Sequence, residues 1–172
     1  MFKNLFLVLF CLLLVSCDSI TRVPKVIYKS SLQADSIIVD KSEKKLYLLK
    51  NGKVIRDYDT QMGYKEGRKQ FEGDERTPEG KYFISNKNQN SSYFLSLAIS
   101  YPNEEDRKRA AALGKRPGGD IMVHGMPNQA GVLERIKKNN YDWTAGCIAV
   151  SDHDMVEIYA MVQTGVPILI RK

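Results

Sequence analysis

The sequence predicts a mainly β domain of the α+β class, and three observations carry that expectation. From Asp35 to Gly63 apolar and polar residues alternate, at Ile38, Leu46, Leu48 and Val54, around an Asn51-Gly52 pair. That pair is the two-residue signal for a hairpin turn with a strand on each side. Strand-like stretches fill the middle of the chain and helical stretches arrive late, which argues against alternating β and α units and against a doubly wound parallel sheet. With 172 residues, 43% hydrophobic and 27% charged, the chain fits a single domain burying one core, without repeats or low-complexity tracts.

The elements follow in order. Two antiparallel strands flank Asn51-Gly52. Thr77-Pro78 and Gly80 read as a turn, because proline fixes its own φ and glycine permits positive φ, and Lys81–Ser85 alternates as a strand. Ser92–Tyr101 is a further strand, dense in aromatic and β-favouring residues. Asn103 is a suitable N-cap for a helix whose first turn holds Glu104 to Asp106 and which Gly114 can stop. Gly118–Gly125 contains a short apolar strand ending at His124. A second helix covers residues 130–140. A third begins at Ser151 as N-cap, with Asp154 at the capping-box position and Val156, Tyr159, Met161 and Val162 towards one face. Val166–Lys172 closes the chain as a strand.

The N-terminus is read separately. Lys3 precedes an apolar run from Leu5 to Val15, too short for the ~20 residues of a membrane-spanning helix and suited to the core of a signal peptide. Residues 1–16 are therefore expected to be removed on export. The tetrapeptide Leu14-Val15-Ser16-Cys17 resembles the lipobox of bacterial lipoproteins, which implies that Cys17 is acylated and becomes the first residue of the mature chain. An ordinary secretory signal with Cys17 incidental is the other reading. A lipidated Cys17 would tie the protein to a membrane surface through a tether at residues 17–35, leaving residues 36–172 as the folded domain. Similarity to lipoprotein sorting rules gives Asp18 the meaning of inner-membrane retention, with the domain facing the periplasm.

The formal charge of +6 comes from Lys and Arg scattered among Asp and Glu. The net charge implies affinity for anionic surfaces, but without a basic stripe and interleaved aromatics nucleic acid is not an expected partner.

Of three cysteines, Cys11 leaves with the signal and Cys17 takes the lipid, so Cys147 is left alone in an exported protein. Such a thiol is either buried and inert or kept for its reactivity. A cysteine enzyme needs a neighbour that lowers the thiol's pKa or takes its proton, usually histidine. His153 falls in the first turn of the third helix, a surface position. His124 ends an apolar strand before a glycine and can emerge at a strand end beside Cys147, so it is the better base; a satisfied core histidine is the bland reading. Two histidines with one cysteine are too few for a typical zinc site. Gly146 before Cys147 lets the N–H groups of residues 146 and 147 point at a developing oxyanion, donors worth roughly 2.7 to 4 kcal/mol each in acyl transfer. Gly125, Thr144 and Gly146 are the candidate substrate- and oxyanion-binding residues, Thr144 through a hydrogen bond to base or substrate. Asp142 and Trp143 either shape the rim or belong to a structural loop.

These residues carry a resemblance. Val123-His124-Gly125, followed by Thr144-Ala145-Gly146-Cys147-Ile148, resembles the catalytic signature of the YkuD-like L,D-transpeptidases. The hairpin around Asn51-Gly52 and the Arg76–Ile84 segment are similar to earlier parts of that family, so the likeness spans about Ser36 to Arg171. It implies a β-sandwich with a few short helices around a cleft in which Cys147 and His124 face each other. It implies an L,D-transpeptidase catalytic domain at residues 36–172 acting on peptidoglycan stem peptides, with a thioester on Cys147 and His124 as general base and acid. No metal or cofactor is required. The acceptor is a second stem peptide, an acceptor protein, or water, which would make the enzyme a carboxypeptidase or a murein hydrolase; amidase activity on the same fold and a catalytically silent wall-binding lipoprotein are the rival readings. Many members carry His where this chain has Ala145 and Arg where it has Ala149.

Overall fold

A computed structural model describes residues 28–139 and 142–172. The residues expected to form a signal peptide, Cys17 and Asp18 lie outside the described residues. The elements are β1 (Ser36–Asp40), β2 (Lys45–Lys50), β3 (Lys53–Asp59), β4 (Gly80–Ser91), β5 (Phe94–Ile99), α1 (Glu104–Ala112), β6 (Met122–His124), α2 (Ala130–Asn139), β7 (Ile148–Ala149), α3 (Asp152–Met161) and β8 (Pro167–Arg171). Among the described residues no helix is long and apolar enough to cross a membrane.

The strands lie in the order β3-β2-β1-β8-β4-β5-β6-β7. The long strand β4 belongs to both halves: Gly80 to Phe83 pair with β8, while Ile84 to Ser91 pair with β5. Most pairings are antiparallel, but β1 runs parallel to β8 and β6 parallel to β7. Just beyond β3, Gln61 exchanges both backbone hydrogen bonds with Ala149 of β7, at 2.9 and 2.7 Å, so the two ends of the strand order are tied to each other. The core lies between, built from Ile37 and Val39 of β1, Leu46 and Leu48 of β2, Ile84 of β4 and Leu97 of β5, closed by α3 through Met155 and Ile158.

Several expectations are corrected. Asp35–Gly63 holds three strands rather than two, because Asp40 organises a turn after β1: its carboxylate accepts from the Ser42 hydroxyl at 2.8 Å and the Glu43 N–H at 3.0 Å. Side chains alternate in a strand, and Ile37 and Val39 take the inward positions that Ile38 was expected to hold. Val54 is 56% exposed because β3 is an edge strand with Tyr58 as its one fully buried position. Thr77-Pro78 is an irregular connection without a turn, held by distant bonds: the Thr77 hydroxyl accepts from Gly63 N–H and its carbonyl from Lys69 N–H. The nearest turn is at Glu72-Gly73. The strand expected from Ser92 begins at Phe94, Ser92-Tyr93 forming the tip of the β4–β5 hairpin. In α3, Val156 faces solvent, and Met155, Ile158, Tyr159 and Met161 make the buried face.

Asn103 and Ser151 cap their helices as expected, but the reciprocal box expected at Ser151 and Asp154 is found at Asn103 instead, the Asp154 carboxylate accepting from the Ser151 hydroxyl. The Asn103 side chain accepts from Asp106 N–H while the Asp106 carboxylate accepts from Asn103 N–H, a reciprocal capping box. Ser151 caps α3 by accepting from Asp154 N–H. Before β1, Tyr28 packs edge-on against Tyr159 with centroids 5.5 Å apart, and Ala34 is in the core, so packing begins upstream of Ser36.

Candidate active site

Strand register sets the two candidate catalytic side chains on one sheet face. In the parallel pair β6·β7, Val123 is level with Ile148 and His124 with Ala149. Val123 and Ile148 are fully buried in the core, so His124 and Cys147, each one residue away, lie on the opposite face. Continuing the register puts Cys147 level with Met122. With strands about 4.8 Å apart and a rise of about 3.3 Å per residue, the backbones at 124 and 147 are then about 8 Å apart.

His124 is 3% exposed. Its Nδ1 lies 2.7 Å from the carbonyl oxygen of Gly125. A carbonyl can only accept, so Nδ1 carries the proton and Nε2 presents a lone pair. Burial lowers the imidazole below its ordinary value of 6.5, and the bond to the Gly125 carbonyl partly opposes this, so the ring is neutral at neutral pH. The Tyr93 ring lies 4.5 Å from the imidazole and Trp143 meets it edge-on at 5.7 Å. Trp143 is fixed by its Nε1–H donating to the Gln61 side-chain carbonyl at 2.8 Å.

Cys147 is half-buried. Burial pushes its thiol up; the Met122 N–H pulls it down, the Asp120 charge pushes it up and the Lys69 charge pulls it down. The S–H donates to the Asp120 carbonyl at 3.4 Å. At rest the site therefore holds a neutral thiol and a neutral imidazole.

The glycines and Thr144 have different tasks from those expected. Gly146 has φ of +136°, and a Cβ there would lie 2.7 Å from the Arg76 carbonyl, so only glycine fits. Its N–H does not face a substrate: it donates to the Thr144 hydroxyl at 3.1 Å, leaving the N–H of Cys147 as the remaining donor of the expected pair. Thr144 does not bind the base. It is buried, and its hydroxyl donates to the Cys147 carbonyl at 2.7 Å, so the loop is tied to itself. The Gly125 N–H is shared between the Tyr93 and Leu95 carbonyls; what Gly125 supplies is the carbonyl that sets the imidazole tautomer and the space a Cβ would take, 2.5 Å from Asp152 Oδ1. Asp142 is a loop anchor, accepting from Met62 N–H at 2.9 Å and pairing with Lys44 at 3.0 Å. His153, with a side chain 93% exposed, is at the surface beside Asp154.

The residues that sequence reasoning missed are Tyr93, Met122 and Asp120. The Gly118-Gly119 pair before Asp120 is the one local hint, since it marks a turn; the roles of the Met122 N–H and the Asp120 carbonyl are backbone roles that side-chain identity does not encode. A separate cavity of about 270 Å³ is lined by Lys41, Lys44, Gly63, Thr77, Glu79 and Asp142 among others. Its walls are internally paired, Lys41 with Glu79 and Lys44 with Asp142.

Comparison with known proteins adds the family. Pgp2, the helical cell shape determining protein of Campylobacter jejuni, is 26% identical with a TM-score of 0.59, over 83% of this chain and 49% of Pgp2. Bd1075 of Bdellovibrio bacteriovorus is 24% identical with a TM-score of 0.56, over 81% of this chain and 48% of Bd1075. An L,D-transpeptidase of Mycobacterium smegmatis is 17% identical with a TM-score of 0.51, over 81% and 59%. The chain thus spans about half the length of the first two, and the third shows a shared fold. No curated protein sequence matches the chain. Residues 34–170 match the family described as YkuD, L,D-transpeptidase catalytic domain. With a match that runs through both halves of the sheet and takes in His124 and Cys147, this chain belongs to the YkuD L,D-transpeptidase catalytic domain family.

Proposed function

We propose that the protein transfers acyl groups on peptidoglycan stem peptides through a thioester on Cys147. The observation that carries this reading is a thiol and a neutral imidazole on one sheet face, the imidazole with Nδ1 bound to Gly125 and Nε2 free to take a proton. The Cys147 thiol turns from Asp120, gives its proton to Nε2 and attacks the carbonyl of the third stem residue. A carbon–sulfur bond forms, and the oxyanion is met by the Cys147 N–H. As the peptide C–N bond breaks, the imidazolium returns the proton to the leaving D-alanine. A second stem's amine then attacks the thioester, losing its proton to His124, and the thiolate leaves. No step requires a metal.

A carboxypeptidase, in which water resolves the thioester, is the second reading. It rests on Ala145 and Ala149, short apolar side chains standing where the family resemblance implies His and Arg that could hold an acceptor. The export segment and Cys17 would place the domain at the periplasmic face of a membrane beside its substrate.

Incubation with tetrapeptide muropeptides, read by mass, separates the readings. Release of D-alanine with a cross-linked dimer is expected for transpeptidation, release without dimer for the carboxypeptidase, and Cys147→Ala and His124→Ala should each abolish either product. Turnover that survives Cys147→Ala would sink the covalent mechanism.

A further inference from the structure

Asp152 opens α3 with an exposed side chain, and the acyl-transfer steps give it no task. Its place is nevertheless specific. Its Oδ1 accepts from Met126 N–H at 2.7 Å, from a residue 26 positions earlier in the chain. His124 lies at the other end of the same peptide group. The Gly125 carbonyl and the Met126 N–H belong to one planar trans unit, so they point in opposite directions. The carbonyl end lies 2.7 Å from His124 Nδ1, which donates to it. Imidazole, peptide and carboxylate are thus joined end to end by two short hydrogen bonds.

The surroundings fit this connection. Gly125 leaves room for it: a Cβ there would lie 2.5 Å from Asp152 Oδ1, so a larger residue would push the carboxylate off the Met126 N–H. The N–H side of Gly125 is already fixed, shared between the Tyr93 and Leu95 carbonyls at 3.1 Å each. Rotation of the peptide between residues 125 and 126 is the freedom that remains, and glycine resists such rotation less than any other residue. The bond to Asp152 restrains it. A carboxylate is also well placed in the first turn of α3, where the helix end favours negative charge. Asp154 of the same turn is engaged with Ser151, accepting from its hydroxyl at 2.7 Å.

We propose that Asp152 is a positioning residue for the base: by holding Met126 N–H it keeps the Gly125 carbonyl on His124 Nδ1, which leaves Nε2 free to take the Cys147 proton. The base of an acyl-transfer enzyme is commonly oriented by a third group. Here that group acts through a peptide instead of touching the imidazole. When Nε2 takes up a proton the ring becomes a cation and its Nδ1–H leans harder on the Gly125 carbonyl. The Asp152 carboxylate polarises the peptide in the direction that helps, since linked hydrogen bonds strengthen one another. The proposal rests on His124 being the base.

The test reads the imidazole directly, by nitrogen NMR of the full chain carrying isotope-labelled histidine. The sequence holds two histidines, and His153→Gln assigns the signals of His124. The wild type is expected to show Nδ1 protonated and Nε2 bare at neutral pH. Asp152→Ala should give a mixture of the two tautomers, with a fall of roughly tenfold or more in kcat for D-alanine release at unchanged KM. Asp152→Asn, whose side-chain oxygen can still accept from Met126 N–H, should keep the wild-type tautomer. Asp154→Asn takes a carboxylate from the same helix turn without touching the peptide, and should leave the tautomer unchanged. A wild-type tautomer in Asp152→Ala overturns the proposal, even if urea unfolding shows α3 weakened, because that is the result of a merely structural role. An equal change in Asp154→Asn overturns it too. The NMR arm needs no muropeptide, so absence of D-alanine release by the wild type would overturn the substrate reading and leave the tautomer result standing.

Discussion

His124 shows how one buried side chain ties stability to pH. In the unfolded chain an imidazole takes up a proton near 6.5, whereas in the folded protein burial delays protonation to lower pH. Between those two values the unfolded state binds more protons, so stability falls as pH drops through that window and is regained above 6.5. Urea unfolding should therefore show the wild type losing more stability between pH 7 and pH 5 than His124→Gln, which has no proton to gain. Equal losses would mean that the imidazole is not held neutral. Cys147 acts on the other side: its raised value keeps stability in place below the ordinary thiol value and lets it go as pH climbs through the folded one. At this scale the sequence was informative about side chains and silent about backbone. His124 and Cys147 were legible as candidates because few residue types can carry acyl transfer, and Gly146 because only glycine fits its backbone. The thiol's partner is the Asp120 carbonyl, and any residue supplies a carbonyl.

At the scale of elements, the tip of the β4–β5 hairpin decides what covers His124. Asn128, in the loop after His124, clamps that tip: its side-chain carbonyl accepts from Phe94 N–H at 3.0 Å and its amide donates to the Ser91 carbonyl at 3.0 Å. Between those points Tyr93 is held over the imidazole, though 40% exposed. Asn128→Ala removes both side-chain bonds, at an expected cost of about 1–3 kcal/mol. Hydrogen exchange should show the Phe94 amide losing protection while amides in β1 and β8 keep theirs; uniform loss would argue against a local clamp. Elements written in local signals were legible before the structure: the Asn51-Gly52 turn and the Asn103 and Ser151 caps. The β1–β2 turn was passed over because it has no glycine, Lys44 taking the positive φ of 53°. The signal present there was Asp40 with Ser42 and Glu43, an Asx-type turn.

For the whole molecule, mainly β with late helices was legible, because alternation and turn residues are spread along the chain. Strand order was not, since it depends on pairings between residues far apart in sequence. β8 is the clearest case: read as a closing strand, it lies between β1 and β4, with Ile168 and Ile170 in the core. Removing residues 167–172 should abolish cooperative unfolding, measured by circular dichroism during heating, because it deprives both neighbours of their backbone partners and opens the core. A sharp transition in the truncated protein would show that the two halves hold together without it.

That placement also orders events in time. A chain emerging N-terminus first presents β1 to β3 early, and β8, the strand that joins their half of the sheet to the half carrying Cys147, follows both. Cys147, His124 and the Gln61–Ala149 tie thus take their places together only once β8 has emerged, and a chain that stops short of it carries its thiol without those neighbours.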